Sequence, residues 1–153
     1  MEQAVSTETH NAYLKTKVLT ANPAELRLML LEGSVRFTAQ GREAIVAKDY
    51  EGIYESFSRA RDIVMELVSS LKHDEAPELC AKMKSLYLFI YQRLIEASSG
   101  RDVAIADEVI ELLTYECETW KLAMAKGSLA EANQTIVETL DGQASQSRVN
   151  IAG

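Results

Sequence analysis

Ile53, Phe57, Ala60, Val64, Leu67 and Leu71 recur at alternating spacings of four and three residues. A strand sends successive side chains to opposite faces, so only a helix gathers all six on one side. A stripe this narrow is the a/d seam of a bundle helix and has to be covered by other helices. The helix that carries them is expected to start near Asp49. The rest of the chain must supply partners of matching length.

Three further segments do so. Asn22, Pro23 and Glu25 form a start signal: a side-chain cap, a proline where the missing donor costs nothing, and a negative charge in the first turn. They predict a helix from Pro23 to about Ala47. Pro77 opens another, with Cys80, Met83, Tyr87, Ile90, Leu94 and Ala97 as its seam and Ser98-Ser99-Gly100 as its stop. Asp102 caps the last, whose stripe is Val109, Leu113, Cys117, Trp120 and Met124, ending at Gly127. Each would be ~36 Å long at 1.5 Å per residue. The connectors around Lys48, around His73 to Ala76 and around Gly100 and Arg101 are short, which makes sequential helices antiparallel neighbours. The fold class expected is therefore all-α, an antiparallel up-down-up-down four-helix bundle over residues 23–127.

Two flanks remain. Residues 1–22 form an N-terminal arm, expected to be flexible, in which Tyr13, Leu14, Val18, Leu19 and Ala21 show no helical period and need a groove to lie in. Beyond Gly127, Ser128-Leu129-Ala130-Glu131 reads as a capping box opening a short helix to about Leu140. That piece either packs as a fifth helix or stays half formed. From Asp141 the sequence is poor in bulky residues and is expected to be disordered.

Composition narrows the function. A length of 153 residues suits one domain. Net charge is −7 and the 16 basic residues are scattered, which argues against nucleic acid, since phosphate binding needs a clustered basic surface. No apolar run approaches the ~18 residues needed to span a bilayer, and Met1-Glu2-Gln3-Ala4-Val5 lacks a signal-peptide pattern, so a cytoplasmic location is expected. Cys80 and Cys117 each sit in an apolar helical stripe and read as core thiols.

Catalytic chemistry finds no residues. A carboxylate-bridged metal pair in a bundle needs Glu-x-x-His twice, but His10 lies in the arm and His73 in a connector, with Thr7 and Ser70 in place of the glutamates. No Gly-rich phosphate loop or nucleophile elbow is present. Neither an enzyme nor a cofactor is expected.

Apolar surface, in contrast, is in surplus. The first helix opens with Leu26, Leu28, Met29, Leu30 and Leu31, and the third contains Leu86-Tyr87-Leu88-Phe89-Ile90-Tyr91, where a seam needs about three positions in seven. Full burial under the arm and the C-terminal segment is the plain explanation. The sharper one is a groove for an amphipathic partner helix, and both hold if the arm covers the groove until a partner arrives. Gly33 and Gly41, eight residues apart, permit a helix to approach closely, with the fourth helix the expected neighbour. Trp120 is expected to be a large packing element of the core.

These residues resemble a known family. Ala12-Tyr13, Val18-Leu19-Thr20-Ala21-Asn22-Pro23-Ala24-Glu25-Leu26, Met29-Leu30-Leu31-Glu32-Gly33 and Phe37 are similar to the opening of the flagellar secretion chaperone FliS family. The block Leu86 to Ala97 resembles its tyrosine-rich third helix, and Trp120 the tryptophan of its last helix. The resemblance implies a non-enzymatic bundle that binds the C-terminal segment of flagellin in the cytoplasm, prevents premature polymerisation and delivers it to the type III export gate. It makes the arm a mobile cover that flagellin displaces. The candidates for cover and groove are Tyr13, Leu14, Val18, Leu19, Ala21, Leu26, Met29, Leu30, Tyr87 and Tyr91. The partner expected is flagellin, with export gate components also in reach, no nucleic acid, no membrane insertion, and a monomer or weak homodimer. The alternative is a helical-bundle adaptor or self-associating regulatory protein of a secretion system.

Overall fold

A computed structural model describes the backbone of residues 2–72 and 74–152 and the side chains of residues 8–72 and 74–127. His73 lies outside the described residues. Among them every element is a helix and none is a strand: α1 Glu2–Thr20, α2 Pro23–Ala47, α3 Tyr50–Ser69, α4 Pro77–Gly100 and α5 Val103–Ala152. The chain divides into two compact units, Met1–Cys117 and Glu118–Gly153.

The starts of the helices follow the capping residues. Asn22 accepts the Glu25 amide at 2.8 Å while its own Nδ2 donates to the Glu25 carboxylate at 3.1 Å. Asp49 accepts the Gly52 amide and Asp102 the Ile105 amide, so orphan donors are satisfied at three helix starts. Pro77 occupies the first turn of α4. The ends differ from expectation. α2 and α4 stop at Lys48 and Arg101, both in the left-handed region with φ of 57° and 49°. Gly100 is still helical, so the reversal that a glycine would take most readily falls one residue later, on an arginine.

α2 packs on α3, α3 on α4, and α2 touches α4. Ile53, Phe57, Ala60, Val64 and Leu67 of the seam are buried, and Leu71 is half-buried. Cys80, Tyr87, Ile90, Leu94 and Ala97 line the core from α4, and Ala106, Val109, Leu113 and Cys117 from α5. Both cysteines are buried free thiols.

α2 buries an unusual stripe: Gly33, Ser34, Thr38, Gly41, Ala44 and Ile45. Its two hydroxyls are satisfied within the helix, Ser34 donating to the Leu31 carbonyl and Thr38 to the Ser34 carbonyl, each at 2.7 Å. Small residues let α3 come close. A Cβ at Gly41 would meet Phe57 and one at Gly33 would meet Ile63, so the helix admitted by the glycines is α3 and not the fourth helix of the sequence reading.

The flanks also differ from the sequence pattern. Residues 2–20 form a helix where none is signalled, because apolar periodicity reports a buried stripe and the part of α1 whose side chains are described has none: residues 8–20 are exposed except half-buried Leu14. Its threonines are accommodated by back-bonding, Thr16 to the Ala12 carbonyl and Thr20 to that of Thr16. At the other end α5 continues through Gly127 to Ala152, where a stop, a short helix to Leu140 and then disorder are expected. Among the described residues no glycine has positive φ. A single glycine costs a helix only about 1 kcal/mol, and the alanines and lysines on its N-terminal side favour continuation. In the second unit Lys121 pairs with Glu118 at 3.5 Å, and Trp120 and Met124 are half-buried.

Candidate partner-binding surface

On α4, Leu88 and Ile95 lie seven residues apart, two helical turns, and therefore share a face. They are 41% and 36% exposed, with half-buried Tyr91 between them. On α3, Tyr54, Arg61 and Met65 follow at intervals of seven and four and so also share a face, and Tyr54 and Met65 are also open. Tyr54 and Ser98 line one cavity, which fixes the antiparallel register of α3 against α4. Counting eleven residues on from Tyr54 along α3 and ten back from Ser98 along the antiparallel α4 brings Met65 to about the level of Leu88. The flank where α3 meets α4 thus carries Tyr54, Met65, Leu88, Tyr91 and Ile95. Isolated exposed hydrophobics are ordinary, but a two-helix file is not.

The residues singled out from sequence fall into three groups. Tyr13, Val18 and Leu19 of α1 are exposed, Leu19 by 76%. Leu14, Ala21, Met29, Leu30 and Tyr91 are half-buried, and Leu26 is open at the start of α2. Tyr87 is fully buried and belongs to the core. Its phenol accepts a 2.7 Å hydrogen bond from the Arg27 guanidinium, which also approaches the ring face, at 5.7 Å from the centroid. Burial pushes the Tyr87 hydroxyl upward in pKa, with the Arg27 charge opposing. Burial likewise raises the Glu116 carboxyl, again with Arg27 opposing.

Sequence reasoning did not select Leu88, Ile95, Tyr54 and Met65. A signal existed for α4: of the six residues Leu86 to Tyr91, only Tyr87 and Ile90 fall on the seam, so the others must lie to either side of it. For α3 there was none, since a single tyrosine or methionine off the seam is unremarkable.

Ion pairs fasten the rest. Arg42 on α2 reaches Asp107 on α5 at 2.6 Å, and Arg93 on α4 bridges Glu96 and Glu108. Arg42 and Arg93 are raised in pKa chiefly by those hydrogen bonds, to Asp107 and Glu108 respectively. Nothing in this surface offers a nucleophile paired with a base. What it offers is apolar area on a rigid frame.

Compared with known proteins, the chain matches the family model described as "Flagellar protein FliS" over residues 6–127. It belongs to the FliS family. It is 34% identical over 115 residues, 75% of this chain and 85% of the relative, to the flagellar secretion chaperone FliS of Bacillus subtilis. It is 27% identical to the protein of that name from Salmonella typhimurium, over 78% of this chain and 89% of the relative. To the flagellar secretion chaperone FliSB of Pseudomonas aeruginosa it is 28% identical, over 70% and 85%. The FliS match takes in most of α1, all of α2 to α4 and the stretch of α5 that ends at Gly127. Among the described residues no helix is long and apolar enough to cross a membrane.

Proposed function

We propose that this chain is a flagellar export chaperone that binds the C-terminal segment of flagellin in the cytoplasm, prevents its premature polymerisation and assists type III export. The observation that supports this most is the file of open apolar side chains along α3 and α4, beside a core that is already filled. An amphipathic segment that folds on docking buries its apolar face in such a flank, in the helix-in-groove manner. Membership of a family whose named relatives are flagellar secretion chaperones supports a protein partner in flagellar export, which this reading takes to be flagellin.

The frame is read as an up-down-up-down four-helix bundle over residues 23–127. Early in α2, Arg27 meets Tyr87 of α4; late in α2, Arg42 meets Asp107 at the start of α5, as alternating directions require. α1, within the arm of residues 1–22, is the element that the partner displaces. With Tyr13, Val18 and Leu19 open, lifting it away forfeits little buried area. Leu26, Met29, Leu30 and Tyr91 act as groove residues, and Tyr87 holds α4 against α2 from beneath. The protein works without a cofactor and without catalysis, as a monomer or weak homodimer, and passes its cargo to export gate components.

The second reading is a helical-bundle adaptor that self-associates through the same flank. Size-exclusion chromatography with light scattering separates them. A chaperone runs as a monomer alone and as a one-to-one complex with the C-terminal segment of its own organism's flagellin. A stable dimer that ignores the segment would sink the proposal.

A further inference from the structure

A cavity of about 280 Å³ opens where the start of α3 meets the end of α4, walled by Tyr50, Tyr54, Arg61, Ser98, Ser99 and Arg101. No Asp or Glu lines it. This is unusual for the charge of the chain, which carries 23 acidic against 16 basic residues. The arginines elsewhere in the core contacts are engaged, Arg42 and Arg93 by carboxylates and Arg27 by a phenol. Among the described residues neither Arg61 nor Arg101 takes part in an ion pair. Both are nevertheless positioned. Arg61 donates to the Ser58 hydroxyl at 3.3 Å, and Arg101 lies over the Tyr50 ring, 4.1 Å from its centroid. Arg101 takes the left-handed conformation, which a non-glycine residue adopts only at a cost, and its side chain lines the cavity.

We infer that this cavity is a carboxylate site, in which Arg61 and Arg101 hold one acidic side chain of a polypeptide that docks along the α3 and α4 flank. The guanidinium is planar and presents paired donors that match the two oxygens of a carboxylate. The tyrosine rings give apolar walls for the methylenes that carry it. The Ser98 hydroxyl is already donating to the Ile95 carbonyl, so the two guanidinium groups are the donors that hold the carboxylate; phosphate, which such a fork also matches, is the competing outcome of the test. The cavity adjoins Tyr54, where the apolar file begins, so an acidic residue at one end of a docked segment would set its register. An ion pair at an open surface is weak, but a docked segment excludes water from it and raises its worth. The identity of the polypeptide rests on the flagellin reading; the carboxylate site does not.

The test uses the full chain, isotope-labelled, titrated with glutarate and separately with inorganic phosphate at matched ionic strength. Glutarate should move the backbone amides of Ser98, Ser99 and Arg101 saturably, and the R61Q/R101Q variant, with an unchanged melting curve, should lose the response. No saturable shift, or tighter binding of phosphate, would overturn the inference. In a second arm the same variant should bind the flagellin C-terminal segment about tenfold more weakly, and an unchanged affinity would also count against it. A wild-type chain that takes glutarate but not flagellin would uphold the carboxylate site and defeat the flagellin reading alone.

Discussion

The ring of Phe57 rests directly on the backbone of Gly41: a Cβ at that glycine would lie 2.5 Å from Cε2 of the ring. Atoms cannot approach so closely, and Phe57 is wholly buried with no free direction to move. Gly33, two turns earlier on α2, differs, since its Cβ would make ordinary contact with Ile63 at 3.4 Å.

Gly41→Ala is therefore expected to destabilise the fold by up to about 2 kcal/mol, because overpacking costs about 1–3 and helix propensity returns about 1. Gly33→Ala should instead be neutral or stabilising by up to about 1 kcal/mol. Urea unfolding of the two variants checks the contrast, and equal losses would contradict the geometry.

The same glycines show why only part of the fold was legible. The α3 seam of Ile53 to Leu67 is apolar and periodic, so its burial could be read from the spacing alone. The buried stripe of α2, built on Gly33, Ser34, Thr38 and Gly41, carries too little hydrophobicity for any apolar period to expose it. That also misdirected the choice of neighbour, because a glycine says that something comes close without saying what. α1 escaped notice for the converse reason: Tyr13, Val18 and Leu19 are apolar yet exposed, so no stripe marks the helix. In the candidate site, Tyr91 and Leu26 were accessible to reasoning about surplus apolar residues. Tyr54 and Met65 needed the α3 and α4 register, which is a tertiary fact.

Tyr87→Phe separates core from surface. The variant keeps the ring but removes the acceptor of the 2.7 Å bond from Arg27, a charge-assisted contact for which about 1–2 kcal/mol is expected. Denaturant midpoints should fall, while affinity for the flagellin segment, measured well below melting, should stay within about twofold. A large loss of affinity at unchanged stability would place Tyr87 in the contact surface.

Glu116 gives a pH signature. Burial raises its carboxyl above the ordinary range, so the folded chain holds that proton more tightly than the unfolded one. Its contribution to stability is present below the ordinary carboxyl pKa and is lost as pH rises through the raised value. Glu116→Gln should accordingly gain stability relative to wild type between pH 4 and pH 7. The gain is small because the group is only half-buried. A relative loss over that interval would mean that the Arg27 attraction outweighs desolvation.

The α1 arm yields a kinetic expectation. A partner competing with a cover associates only with the open fraction. Deleting residues 1–17 and changing Val18 and Leu19 to serine should leave α2 to α5 folded and speed association with flagellin. Slower association with an intact fold would make α1 a direct contact and never a plug.

Titration calorimetry of the full chain with the C-terminal segment of flagellin, repeated at several temperatures, tests the central claim most directly. One-to-one binding is expected, with a negative heat-capacity change from apolar burial and a gain of helical circular dichroism beyond the sum of the parts. No heat of binding, or binding without a heat-capacity change or added helix, would contradict a flank built to fold and hold that segment.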